Sequence, residues 1–60
     1  MLDTKDPYLL LSIVNTKLRD EAESLKDLCL TYNKSIQEIA EKLEGIGYQY
    51  DEKLNQFISR

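Results

Sequence analysis

The fold is decided by a segment in which two helical patterns flank a sharp turn: residues 24–47, SLKDLCLTYNKSIQEIAEKLEGIG. Ser24 and Ser35 are each followed three residues later by an acidic residue, an arrangement that caps a helix N-terminus. Asn33 lies between the two patterns, and asparagine tolerates the left-handed backbone that ends a helix and turns the chain. The segment therefore predicts two helices joined by a tight turn at Asn33.

Upstream of this segment, Asp6 and Pro7 predict the start of another helix, because an acceptor at the N-cap precedes proline at the first helical position. Apolar residues then recur at helical spacing and form one stripe. The stripe consists of Leu10, Leu11, Ile13, Val14 and Leu18. The residues expected to point toward solvent are Asn15, Lys17, Arg19 and Asp20.

Downstream, Gly45 or Gly47 ends the last helix, and Gly47 is the better candidate because Ile46 can still pack as the chain leaves. The spacing of the apolar residues then changes to every second residue, with Tyr48 before Gln49 and Tyr50 after it. Turn-forming residues 51–55 follow, and Gln56-Phe57-Ile58 is typical of a second strand. Since two strands alone are marginally stable in water, the aromatic residues of this hairpin must pack on the helices.

We therefore predict a mainly α fold: a three-helix, helix-turn-helix-like bundle with a C-terminal two-stranded β-hairpin as a wing. The chain forms a single domain over residues 1–60. Its predicted parts are a disordered tail over 1–5, helices over 7–21, 25–32 and 36–45, and the hairpin over 48–58. Lys34 stands just after the turn, where such motifs place an apolar residue, and we expect Ile36 to take over that packing.

Composition limits the chemistry of this 60-residue chain. Its one cysteine, Cys29, cannot close an internal disulfide, and without histidine it cannot build a thiolate or imidazole zinc site. We expect no metal and no cofactor, and association with a second copy is the remaining way to add stability. No apolar run is long enough to span a bilayer and the N-terminus is not typical of a secretory signal, so we expect a cytoplasmic protein without membrane contact.

Catalysis needs an activated nucleophile or an acid–base pair with separated pKa values, and a histidine-free chain of this size offers poor material for either. Cys29 lies on the predicted inner face of the second helix, where a free cysteine behaves as a small buried hydrophobe. Asp51 and Glu52 lack the further oxygen ligands that a calcium loop requires. We expect that the protein is not an enzyme.

Charge argues against nucleic acid as the partner, although the predicted fold is one that often binds DNA. The net charge is −3, the pI is about 4.7, and the predicted recognition helix carries three glutamates against Lys42 alone. A winged helix-turn-helix transcription regulator stays the alternative hypothesis. It would contact DNA through a set of four cations: Lys17, Arg19, Lys26 and Lys34.

Protein binding is the leading hypothesis, with either a regulatory partner or a second copy, in a dimer, as the bound protein. Four of the five aromatic residues are tyrosines, and tyrosine is favoured at interfaces because it combines area with a polar group. In so small a body some of them must be partly exposed. The candidate partner-binding residues are Tyr8, Tyr48 and Tyr50.

Several segments of the chain also resemble a family of short bacterial proteins known as domain of unknown function 4250. The similar segments are DPYLLLSIVNTKLRDE (6–21), Ser24-Leu25, Leu28-Cys29, IGYQYD (46–51) and Asn55-Gln56-Phe57. The resemblance covers nearly the whole chain. It implies a bacterial, cytosolic origin, and it implies no activity, cofactor or site residues.

Overall fold

The structure is a computed structural model that describes residues 2–60. Three helices are followed by an antiparallel hairpin, so the predicted fold class is confirmed. The elements are α1 (Pro7–Asp20), α2 (Leu25–Tyr32), α3 (Ile36–Glu44), β1 (Tyr48–Asp51) and β2 (Gln56–Ser59). Both α1 and α3 end one residue before their predicted ends.

Local capping bonds determine where each helix begins. The Asp6 carboxylate accepts the backbone N–H of Tyr8 at 3.0 Å, and Pro7 occupies the first turn, as predicted. The hydroxyls of Ser24 and Ser35 each accept the N–H of the residue three positions later, at 3.0 and 3.3 Å. These bonds satisfy backbone donors that have no partner inside a helix.

The two turns that follow α2 and α3 depend on left-handed residues. Asn33 has φ 56° and ψ 48°, so the chain reverses between α2 and α3 at the predicted residue. Gly45, with φ −61°, caps α3, and the preference for Gly47 as the residue that ends this helix was wrong. Gly47 has φ 86° and directs the chain into β1, a conformation that residues with a side chain rarely adopt.

The core lies between the three helices and the inner face of the hairpin. Leu10, Val14 and Leu18 are buried, so the predicted stripe on α1 is confirmed. The other buried apolar residues are Leu2, Leu25, Leu28, Cys29, Ile39, Leu43 and Phe57. In the hairpin, the rings of Tyr50 and Phe57 lie 5.5 Å apart across the two strands, and both side chains pack in the core with the helices.

The N-terminal segment is ordered against the bundle, and the prediction of a disordered tail is wrong for residues 2–5. Leu2 is only 4% exposed, because it joins the core, and Asp3 forms an ion pair with Lys34. Thr4 accepts the N–H of Asp6 at 3.2 Å. Met1, the remaining residue of the predicted tail, lies outside the described residues.

The ion pair between Asp3 and Lys34 also changes the packing after the α2–α3 turn. Ile36 is 42% exposed, so the expectation that it takes over the apolar position at Lys34 is wrong. Lys34 is instead half-buried and bound to Asp3, which brings the N-terminal segment, with Leu2, against the turn. A neighbouring carboxylate thus makes a lysine acceptable where such motifs usually place an apolar residue.

Candidate interaction surfaces

Lys17, the first of the four cations proposed for DNA binding, is held inside the protein. Its ammonium donates to the hydroxyl of Tyr32 at 2.8 Å, lies 4.7 Å from the centre of that ring, and pairs with Glu21 at 3.4 Å. The hydrogen bond to Tyr32 raises the pKa of Lys17 above its ordinary value. The residue is 8% exposed, so the expectation that Lys17 points toward solvent is wrong.

Two of the other three cations are matched by carboxylates. Arg19 forms two hydrogen bonds with Asp20, at 2.9 and 3.1 Å, and these raise the pKa of Arg19. Lys34 is bound to Asp3, and that hydrogen bond lowers the pKa of the Asp3 carboxyl. Lys26 is exposed and forms no ion pair with any other residue of 2–60. A phosphate would therefore have to compete with an intramolecular carboxylate at three of the four positions.

The exposed face of α3 is acidic. Glu38, Glu41 and Glu44 are all exposed, and Lys42 lies 3.9 Å from Glu38. Gln37 donates to Glu41 at 3.0 Å, which leaves the charge of that carboxylate in place. In a helix-turn-helix protein this helix would enter the major groove, where the surrounding phosphates would repel it.

The three candidate tyrosines lie in two different places. Tyr8, in the first turn of α1, is 64% exposed, and its neighbour Leu9 is 50% exposed. Tyr48 and Tyr50 alternate with Gln49 in β1, so they share one face of the strand, and both are half-buried against the core. Of the three, Tyr8 has the side chain that is most accessible to a partner.

Tyr50 has a structural role that the sequence did not indicate. Its hydroxyl donates to the side-chain oxygen of Asn55 at 2.7 Å and accepts the N–H of Leu25 at 3.1 Å. The first bond braces the hairpin turn and the second satisfies a donor in the first turn of α2. Tyr50 therefore joins the hairpin to α2, and its hydroxyl is engaged within the chain.

An open groove of about 300 Å³ brings Tyr50 together with Lys26 from the set proposed for DNA binding. Leu25 of α2 and Ile36 of α3 supply apolar parts of its lining, and Glu52 of the hairpin turn also lines it. The groove contains one cation and two glutamates, since Glu23 also lines it, so its charge does not favour an anion.

Amide side chains form a network that sequence analysis missed. The Asn15 side chain accepts the N–H of Phe57 at 2.7 Å and donates to the C=O of Phe57 at 3.0 Å. Gln56 donates to the backbone oxygen of Asn15 at 2.9 Å. Asn15 is thus half-buried, contrary to its expected place in solvent. An asparagine within a helix is a weak signal for such a role, because asparagine competes with the helix for backbone hydrogen bonds.

Asn55 extends the network to the end of α1. Its side-chain nitrogen donates to the backbone oxygens of Leu18 and Ala22, at 2.9 and 3.0 Å. Backbone carbonyls at a helix C-terminus have no partner within the helix, so the hairpin turn supplies one. The signal available from sequence was an asparagine in a turn, which indicates a left-handed backbone but not a distant partner.

The thiol of Cys29 is buried within the described residues. Burial raises the pKa of the Cys29 thiol, and the residue is 2% exposed, as predicted for a small buried hydrophobe. Within residues 2–60, no three side chains of histidine, cysteine, aspartate or glutamate come together as a metal site. No helix in the same range has the length and apolar character needed to cross a membrane.

Comparisons with known proteins give one match. Searches of curated proteins and of solved structures find nothing similar to this chain. A family model described as a domain of unknown function, DUF4250, matches residues 4–57, which cover nearly all of the 60 residues. The resemblance found in the sequence is confirmed, and the chain belongs to the DUF4250 family.

Proposed function

We propose that this protein is a non-enzymatic interaction module of the bacterial cytoplasm that binds protein. One observation carries the proposal: most of the candidate DNA-binding cations form ion pairs within the chain, while several large apolar side chains are exposed. Three of the four candidate cations are bound to carboxylates within the chain. The exposed apolar residues are Tyr8, Leu9, Leu30, Ile36, Leu54 and Ile58.

The first turn of α1 is the surface best suited to contact a partner. Tyr8 and Leu9 are adjacent and at least half exposed, so a partner could cover an aromatic ring and an aliphatic side chain together. Tyrosine is enriched among the residues that dominate binding energies, because its rigid ring covers much area and its hydroxyl can still form a hydrogen bond. Removal of these two side chains from water would favour association.

The charge distribution argues against the transcription-regulator alternative, although folds of this helix-turn-helix-like kind often bind DNA. The exposed face of α3 carries Glu38, Glu41 and Glu44, and Lys17 is buried against Tyr32. Only Lys26 of the proposed cations is exposed without an ion pair in residues 2–60. Since phosphate contacts supply most of the affinity of non-specific DNA binding, such a surface is poorly suited to bind DNA.

Two experiments test the proposal. Fluorescence anisotropy of a mixed-sequence DNA duplex at low salt, with protein up to about 100 μM, is expected to stay flat, because non-specific DNA binders respond in this range. Partner capture from host lysate is then compared between the wild type and the double variant Tyr8→Ser, Leu9→Ser. We expect the double variant to lose the captured protein.

The matched control is Leu54→Ser, which removes an apolar side chain of similar exposure from the hairpin turn. This variant is expected to retain the captured protein. A salt-sensitive rise in anisotropy would contradict the proposal and return attention to Lys26. A monomeric protein that captures nothing would also contradict it.

A further inference from the structure

The two outer edges of the hairpin differ in whether their outward-pointing backbone groups form hydrogen bonds. The N–H of Arg60 donates to the C=O of Gly47 at 3.0 Å, and the register pairs Tyr48 with Ser59 and Tyr50 with Phe57. Hydrogen-bonded and non-hydrogen-bonded pairs alternate along an antiparallel ladder. The backbone N–H and C=O of Tyr48 and Tyr50 therefore point away from β2, toward the open edge of β1.

The corresponding edge of β2 is partly closed by the helix beside it. Asn15 of α1 bonds both the N–H and the C=O of Phe57, as a neighbouring strand would do. No such cap exists on β1: within residues 2–60, no other residue forms a hydrogen bond with the backbone N–H or C=O of Tyr48 or Tyr50. Two donors and two acceptors thus lie in a row along one edge.

The sequence of β1 does not protect this edge against pairing. Natural edge strands are commonly blocked by proline, lysine, a bulge or an inward charge, and Tyr48–Asp51 has none of these at its centre. Gln49, between the two outward-bonding residues, is exposed and uncharged. A second strand can therefore approach without an unfavourable charge at the middle of the contact.

We propose that β1 pairs antiparallel with β1 of a second copy about a two-fold axis at Gln49, an interface that goes beyond the Tyr8–Leu9 surface of the proposed function. In this register Tyr48 lies opposite the partner's Tyr50, and all four outward groups form hydrogen bonds on each chain. Asp51 lies opposite the partner's Gly47, so no carboxylate faces another. Two hairpins then form one four-stranded sheet, which is more stable than an isolated pair of strands.

A second copy is favoured as the occupant because the edge is complementary to itself in this register. The strands are four residues long, so their pairing buries less than the roughly 1,200 Å² of total surface that stable interfaces exceed. We therefore expect a weak dimer whose population rises with concentration. Sedimentation experiments need protein up to about 1 mM to populate such a complex.

Site-specific cross-linking tests the register. Residues opposite each other in a non-hydrogen-bonded antiparallel pair have Cα atoms about 4.5 Å apart, which is within the range that a disulfide spans. Gln49→Cys is thus expected to form a disulfide-linked dimer at least about tenfold faster than Ile58→Cys in a glutathione buffer. Ile58 is the matched control, because it pairs with Gln49 on the same face of the hairpin but lies one strand farther from the axis.

Backbone methylation tests the hydrogen bonds without changing a side chain. A synthetic chain with an N-methyl group on Tyr48 loses an outward donor, and its dimer is expected to dissociate at concentrations where the wild type sediments as a dimer. N-methylation of Ser59 is the matched control, since this N–H also points outward but at the edge of β2. Circular dichroism and thermal unfolding verify that both synthetic chains fold.

The outcomes separate this inference from the proposed function. Equal cross-linking rates for the two cysteine variants, equal effects of the two N-methyl groups, or a monomeric wild type up to about 1 mM would each overturn edge pairing. If the monomer still captures a protein through Tyr8 and Leu9, the proposed function stands without edge pairing. If it captures nothing, both fail.

Discussion

Two asparagine side chains take the place of backbone peptide groups in this protein. Asn15 bonds both polar groups of Phe57, and Asn55 bonds the carbonyls of Leu18 and Ala22 at the end of α1. Peptide groups removed from water without a partner are costly, so each amide stabilises the junction between the helices and the hairpin. These two junctions determine how the hairpin sits on α1.

Replacement of Asn15 by alanine should weaken this junction. The change leaves the half-buried N–H and C=O of Phe57 without protein partners, and we expect the free energy of unfolding to fall by about 1–3 kcal/mol. Urea denaturation measures the change. Ser12→Ala, at an exposed position of the same helix, should alter stability by less than about 0.5 kcal/mol, and equal effects of the two substitutions would contradict the assigned role.

Lys17 should make stability depend on pH in the alkaline range. Because the pKa of Lys17 is raised in the folded state, its charge stabilises the fold below the unfolded value of about 10.4, and this contribution is lost as pH rises through the folded pKa. The stability difference between the wild type and Lys17→Met is therefore expected to shrink above about pH 10.4.

Arg19→Met supplies the control for that pH series. Arg19 stays protonated over the same pH range, so the stability difference between the wild type and this variant should stay constant. Denaturant unfolding at several pH values measures both differences. A Lys17→Met difference that does not change with pH would show that the ammonium does not contribute to folding.

At the scale of elements, two turns use the same left-handed backbone for different purposes. Asn33 has φ 56° between α2 and α3, and Asn55 has φ 54° before β2. At Asn33 the requirement is the backbone conformation, whereas the Asn55 side chain also bonds Tyr50, Leu18 and Ala22. The first turn therefore depends on conformation and the second on conformation together with tertiary contact.

Glycine substitutions should separate these two requirements. Glycine adopts the left-handed region readily, so Asn33→Gly is expected to change the free energy of unfolding by less than about 0.5 kcal/mol, while Asn33→Ala lowers it by about 1–2 kcal/mol. Asn55→Gly should lower it by about 1–3 kcal/mol, because the hydrogen bonds are lost. Thermal and urea unfolding of the three variants measure these changes. Equal losses of unfolding free energy in Asn33→Gly and Asn55→Gly would contradict the distinction between the two turns.

At the scale of the whole molecule, the N-terminal segment completes the core. A chain of this size buries only about 60% of the surface that its unfolded form exposes, so each core residue contributes a large share of the stability. Leu2 is buried, although it precedes every helix, and the Asp3–Lys34 ion pair holds the segment against the α2–α3 turn. The segment therefore closes one side of the bundle.

Leu2→Ala should destabilise the whole domain. Truncation of a buried leucine lowers the free energy of unfolding by about 2–5 kcal/mol, which is much of the stability that a domain of this size has. Leu54→Ala, at a position that is 62% exposed, should change it by less than about 0.5 kcal/mol. Melting curves followed by circular dichroism compare the variants, and equal melting temperatures would show that Leu2 is not part of the core.

The candidate surfaces were predictable only in part. Tyr8 was predicted as a partner-binding residue and is exposed, whereas the hydroxyl of Tyr50 is bonded within the chain. Lys17 was predicted to face solvent and is buried against Tyr32. Whether a polar side chain is accessible depends on which groups approach it from other elements, and residue type alone does not contain that information.

The sequence by itself determined the order of the elements, the helix starts and the turn at Asn33. These features depend on hydrogen bonds and backbone angles within a few residues, which local chemistry specifies. Only the tertiary structure decided the burial of Leu2 and the Asn15 bond to Phe57, which spans 42 positions in sequence. It also decided which edge of the hairpin stays open, because a cap on a strand edge comes from whichever distant side chain the packing of the helices places beside it.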